Sequence, residues 1–233
     1  MGTILEGLME AVKLLLHGDS EVLEITLRTL QVAGTSTLIS VLLGVPLGTL
    51  VALKRFPGRK GVITLINLGM GLPPVAVGLI TWLCLARYGP LGNLDLLYTP
   101  TAMVIAQALI ATPLVAGFSI AAIQSINPKM HLQILALGAN RLQYLWLLLR
   151  EAWLGLLAAV IAGFGGVISE VGASMMVGGN IKGETRVLTT AISLEVSKGS
   201  LELATALSVI LLLLSLAITA VLTLLQQRRR QPQ

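Results

Sequence analysis

Charged side chains make up only 12% of the 233 residues and aromatic ones 4%, and the chain holds one cysteine and two histidines. Each scarcity excludes something. The lone Cys84 forms no intrachain disulfide, and so few histidines build no Cys/His metal cluster, so no metal site is expected. No stretch reads G-x-x-x-x-G-K-[ST], so the chain by itself does not cradle ATP phosphates. Gly172-Ala173-Ser174 lacks the flanks of a nucleophile elbow, and His17 and His131 fall outside the apolar runs. An intramembrane serine hydrolase is therefore disfavoured, and the plainer reading of Ser174 is helix packing. No basic stretch precedes the first apolar residues and no small-residue cleavage site closes them, so no signal peptide is expected. Glu6 breaks the myristoylation pattern, and no internal repeat supports an inverted-repeat carrier.

What the chain has in abundance is apolar length. Hydrophobic residues are 55% of it and mean hydropathy is +0.87, the composition of an integral membrane protein. The runs are continuous and not alternating, which selects helices over barrel strands. An all-α protein with five transmembrane helices follows, at about 29–53, 61–86, 101–126, 154–177 and 203–227, in a single domain over 1–233. Residues 4–17 place Leu5, Leu8, Val12 and Leu15 on one face, the pattern of a short interfacial helix, and Gly18-Asp19 marks a turn after it.

Lysine and arginine set the orientation. The segments 54–60, 127–151 and the C-terminal tail hold ten basic residues in 38 positions. Residues 1–28, 87–98 and 178–202 hold six in 65, with nine carboxylates. The basic side is expected in the cytoplasm, with the N-terminus outside and the C-terminus inside. The high pI then reflects short loops beside apolar runs, not a nucleic-acid surface.

Between the third and fourth spans, residues 127–150 are basic and helix-patterned. Asn127-Pro128 is a helix start. Gly138 suits a left-handed helix end, Asn140 a new cap, and Gln143 the matching position of a capping box. Two short helices joined by a tight corner are expected, with Leu142, Leu145, Trp146 and Leu149 on an apolar face of the second. From pattern alone this is either an amphipathic connector on lipid headgroups or a docking element for another protein.

Within the spans, Pro73-Pro74 removes two helical N–H donors, and broken helices of this kind face a pathway or a protein-lined cavity. Glu170 lies deep in an apolar window. It is either a functional carboxylate or a structural hydrogen-bonding group. If the pathway carries a dianion, Glu170 is expected to be protonated, or tied to a cation or backbone donor beside the path. Thr35, Ser36, Thr37 and Ser40 either donate to an oxyanion or bond back to their own helix, the commoner arrangement. Gly163, Gly165 and Gly166 suit close helix contact.

At Gly138 the chain resembles the permease subunits of type I ABC importers. Their cytoplasmic loop carries Glu-Ala-Ala, three residues, Gly, then Leu-Pro about a dozen residues on. In LQILALGANRLQYLWLLLREAWLGLLAA, Gly138 aligns with that glycine, Leu132-Gln133-Ile134 stands in place of Glu-Ala-Ala, and Arg150 in place of the proline. SEVGASMMVGGNIKGETRVLTTAI from Ser169 and LINLGMGLPPVAVGL from Leu65 are similar to segments of molybdate, tungstate and sulfate permeases. GDSEVLEITLRTLQV, RFPGRK and GGNIKGETRVLTTAISLEVSKG most resemble the tungstate branch. The resemblance covers essentially the full chain.

It implies a permease subunit, not an enzyme, for tungstate or a similar tetrahedral oxyanion, with molybdate or sulfate/thiosulfate systems and a stand-alone ion-coupled carrier as alternatives. It further implies a homodimer in the cell membrane, an extracellular solute-binding protein, and two separate ATP-binding subunits that hold the ATP and Mg. This chain would bind no cofactor. Asn127, Pro128, Leu132, Leu135, Gly138, Ala139, Asn140, Arg141 and Leu142 would form the coupling helices that meet the ATPase. Pro73, Pro74, Ser169, Glu170, Gly172 and Ser174 would lie along the translocation pathway.

Overall fold

The 34-residue helix α1, Ser20–Leu53, opens on an Asp19 cap whose carboxylate accepts from the N–H groups of Glu21 and Val22 at 2.9 and 3.0 Å. The structure is a computed structural model describing residues 6, 7, 9–11, 13, 14 and 19–227. The helix begins nine residues before the expected span because its first turns are charged. Arg28 pairs with Glu24 at 2.8 Å and Lys182 with Glu21 at 2.6 Å, so hydropathy alone misses them. At the other end the Arg59 guanidinium donates to the carbonyls of Val51 and Ala52, two of the acceptors a helix terminus leaves open.

Next come α2 (Arg59–Met70) and α3 (Pro74–Leu85), separated by Gly71-Leu72-Pro73 and bent by 100°. A 3₁₀ turn, Gly92–Leu94, leads into α4 (Pro100–Gln124). The basic segment forms α5 (Pro128–Ala136) and α6 (Arg141–Glu151), and α7 (Trp153–Ile168) follows at 67° to α6. The short α8 (Gly172–Gly178), α9 (Leu188–Lys198) and α10 (Leu201–Gln227) complete an all-helical chain, with no strand among the described residues.

Three helices, α1, α4 and α10, are long and apolar enough to cross a bilayer, or up to five spans if the bent pairs α2–α3 and α6–α7 each count as one. The second span is thus two rods meeting at the double proline, whose first member caps α3 and whose second opens it. The fourth is not one rod from 154 to 177. It stops at Ile168, and Glu170 sits in the interruption, not within a helix. Glu6, Gly7, Met9–Ala11, Lys13 and Leu14 are helical, and a Cβ at Gly7 would fall 2.5 Å from Thr205 Cβ of α10. The rest of 4–17, Gly18 and Arg228–Arg230 lie outside the described residues.

Helix α4 is the axis of the bundle, touching α1, α2, α3, α7 and α8. Ala102, Met103, Ala106, Ala111, Val115 and Ala116 along it are fully buried. Small residues let its neighbours approach: a Cβ at Gly48 of α1 would sit 2.6 Å from the Ala116 carbonyl oxygen, and one at Gly163 of α7 2.7 Å from Val115 Cγ2. Gly165, grouped with Gly163 by sequence, faces open space. The hydroxyls of Thr35, Ser36, Thr37 and Ser40 donate to carbonyls one turn back at 2.6–2.8 Å, the commoner of the two arrangements open to them.

Candidate functional site

Two interruptions of the helices carry the polar chemistry. At the first, Asn127 Oδ1 accepts from the Lys129 N–H at 2.9 Å and Pro128 occupies the first helical position. Gly138 ends the turn at φ +75°, a conformation that costs any residue with a Cβ. Asn140 then caps α6 through a full capping box: the Gln143 N–H donates to Asn140 Oδ1 and the Asn140 N–H to Gln143 Oε1, both at 2.9 Å.

The two short helices are pinned from within. Ile134 of α5 and Leu148 of α6 are buried against Ile123 and Ile126 at the end of α4 and Ala152 and Leu156 at the start of α7. His131 Nδ1 lies 2.8 Å from the Tyr144 hydroxyl, and burial pushes that phenol above its ordinary pKa. Of the face expected on α6, Leu149 alone packs against the base of the corner. Leu142 is 78% exposed, and Leu145 and Trp146 are exposed too. Leu132 and Leu135 of α5 and Leu137 at the corner, the last at 86%, are exposed apolar residues as well. Among the other residues expected to couple to an ATPase, Asn127, Pro128, Gly138, Asn140 and Arg141 are exposed and Ala139 half-buried.

The second interruption follows Ser169. Glu170 is 6% exposed, and its carboxylate closes the open end of α8. Oε1 accepts from the Ala173 N–H at 2.6 Å, and Oε2 from the Ser174 N–H at 3.0 Å and the Ser174 hydroxyl at 2.9 Å. Backbone donors hold this carboxylate, one of the arrangements the sequence leaves open. Ser174 Oγ accepts in turn from Gln107 Nε2 of α4 at 2.9 Å, and Ser36 Oγ of α1 lies 3.1 Å from Gln107 Oε1. A continuous buried polar chain therefore joins α8, α4 and α1. Sequence reasoning passed over Gln107, although an amide in the run MVIAQALIA is itself a signal of intramembrane polar packing.

The two helix breaks meet. A Cβ at Gly172 would lie 2.5 Å from Val75 Cγ2, and one at Gly78 2.6 Å from Ala173 Cα, so the first turns of α8 and α3 are in direct contact. Gly172, Ser174 and Glu170 thus come together with the segment just after Pro74. Pro73 and Pro74 themselves are exposed. Ser169 is exposed too and stands apart from the chain, its hydroxyl donating to the Gly165 carbonyl at 2.8 Å.

Residues 44–231, which include the corner, both helix breaks and Gln107, match the family described as binding-protein-dependent transport system inner membrane component. The chain belongs to that family. It is 40% identical over 227 residues to the tungstate uptake system permease protein TupB of Peptoclostridium acidaminophilum, covering 97% of this chain and 100% of that one. A probable anion ABC transporter permease protein of Haloferax volcanii is 40% identical over 201 residues, covering 84% and 87%. Among solved structures, a bacterial alginate ABC transporter in complex with an alginate pentasaccharide-bound periplasmic protein shares the fold. Its TM-score is 0.74 at 21% identity, covering 91% of this chain and 80% of that one. The molecule is a membrane-spanning transport component with several apolar helices.

Proposed function

We propose that this permease is the membrane subunit of an ATP-driven importer that takes up tungstate or a similar tetrahedral oxyanion. It works as a homodimer with two separate ATPase subunits on the α5–α6 side and a binding protein delivering the anion on the other. ATP and Mg belong to the ATPase, and this chain carries no cofactor. The basic loops put the N-terminus outside and the C-terminus in the cytoplasm.

The observation that carries this reading is the α5–α6 corner: exposed Leu132, Leu135, Leu137 and Leu142 on a base pinned by Ile134 and Leu148. A connector resting on lipid has no need of a rigid internal anchor, whereas a lever does. ATP-driven closure of the partner would move the corner as one body with the ends of α4 and α7. Helix α4 carries that motion to Gln107, and Gln107 touches the Ser174–Glu170 cap of α8. The element that opens and closes is then the pair of breaks, Pro73-Pro74 against Ser169–Gly172, biased by nucleotide and by the docked binding protein. Glu170, with both oxygens engaged, holds the break together and does not meet the anion. The cargo reading rests on the full-length likeness to a tungstate permease.

The test is uptake by cells or vesicles expressing the permease with and without its ATPase and binding protein, offering tungstate, molybdate and sulfate separately. Tungstate uptake is expected only with all three components, and Gly138→Leu should abolish it while the protein remains in the membrane. Uptake by the permease alone would replace the importer with a self-sufficient carrier. Preference for molybdate or sulfate would overturn the cargo and leave the mechanism standing.

A further inference from the structure

Beside the corner, α1 and α6 enclose an apolar groove of about 390 Å³. Val45, Leu50 and Leu53 form one wall and Leu145 and Leu149 the other, and Lys54 is its one charged residue. A second groove of about 460 Å³ shares Val45 and Leu149 and is edged by Trp146, Trp153 and Arg150, whose guanidinium lies 5.2 Å from the centre of the Trp146 ring. Cations and tryptophans framing aliphatic walls are the composition of a bilayer interface.

Thr49 lines the first groove and is an exception within its helix. From Thr26 to Ser40 the hydroxyls of α1 donate to the carbonyl one turn back. Thr49 is 7% exposed, and its hydroxyl oxygen, without a partner among the described residues, is closed off from the groove, so the wall it adds offers no hydrogen bond. Five residues on, about 7.5 Å along the helix, Lys54 opens the stretch 54–60, which holds Arg55, Arg59 and Lys60 and no carboxylate.

We infer that this groove is a binding site for an anionic phospholipid of the adjoining leaflet. One acyl chain lies between Leu50 and Leu145, and the phosphate is held by Lys54. The charge of the loop selects the headgroup, and the aliphatic walls hold the tail. Bound there, the lipid braces α1 against α6 at the base of the corner.

The experiment uses the full chain with its accompanying subunits in nanodiscs of phosphatidylcholine with or without phosphatidylglycerol, read by native mass spectrometry of retained lipid. Phosphatidylglycerol should be retained in preference to phosphatidylcholine. Lys54→Gln should lower that retention roughly fivefold, the order of one lysine–anionic headgroup contact, while Lys60→Gln, off the groove, changes it little. A benzoylphenylalanine at Leu50 should cross-link lipid. Equal retention of the two lipids, equal effects of the two lysine substitutions, or a cross-link from position 50 to a second copy or another subunit would each overturn the assignment.

Discussion

At the α5–α6 corner the capping groups are neutral, local and open to solvent: Asn127, Asn140 and Gln143 bond only within a few residues of themselves. At the Ser169–Gly172 break the cap is a carboxylate sealed from water, and its bonds run on through Ser174 and Gln107 towards Ser36, in links that span 67 and 71 residues of sequence. Both devices solve the problem of donors left free at a helix start. They differ in what fails when they fail. The corner can lose a cap and remain docked through Ile134 and Leu148. The break is seated as well, through Ala173 and Val177 of α8 buried against Val77, Ala102 and Met103, but there the groups that close α8 also join it to its neighbours. An element built to present a surface is capped locally, and an element built to sense its neighbours is capped through them.

The comparison breaks first at Glu170. Glu170→Leu strands the N–H groups of Ala173 and Ser174 in an apolar setting, a cost of about 3 kcal/mol or more. It should unfold the protein in detergent well below the wild-type temperature and remove uptake with it. Glu170→Gln keeps one accepting oxygen and should fall between, measured by thermal denaturation of the purified permease. Parent-like stability of Glu170→Leu would mean that the break is not closed by this carboxylate. Gln107→Leu tests the relay. It leaves the cap of α8 intact but removes the donor to Ser174, so about 1–2 kcal/mol should be lost, with uptake reduced more than stability predicts. At the corner, Gly138→Leu places a side chain at φ +75° and costs about 1–2 kcal/mol. Uptake should disappear although the bundle still melts cooperatively. If Gly138→Leu and Glu170→Leu destabilise equally, the distinction between local and shared capping is wrong.

The corner was almost wholly legible in the sequence because its signals are short-range. Asn-Pro, Gly and Asn-x-x-Gln each act within four residues, and the structure uses them all. Its orientation was less so: Leu142, Leu145 and Trp146 read as an apolar face, but periodicity does not say that Leu148 is the residue that packs. The charged first turns of α1 escaped because hydropathy registers apolar length and not helix; Arg28 pairs with Glu24 one turn back, while Glu21 finds Lys182 only in the fold. The break was seen as a costly carboxylate, with a backbone donor as one possible partner. The bonds of the Glu170 carboxylate lie within four residues, but the link onward depends on Gln107 arriving from α4, and no local pattern encodes that meeting.

The smallest effect expected is at Asn140, and it sharpens the comparison most. Asn140→Ala removes the acceptor for the Gln143 N–H and, with it, half of the capping box, a loss of about 1 kcal/mol for an N-cap of this type. Because the site is exposed, water replaces the lost partner, so the stranded-donor penalty that applies at Glu170 does not arise. The melting temperature should fall slightly, Asn140→Asp should restore it, and uptake should be reduced but measurable, since Ile134 and Leu148 still seat the corner. Hydrogen exchange should quicken at the first turn of α6 and stay unchanged around Ser174. Acceleration at Ser174 as well would show that fraying of α6 reaches the buried break by itself, and that the corner acts through its own folding equilibrium and not as a lever.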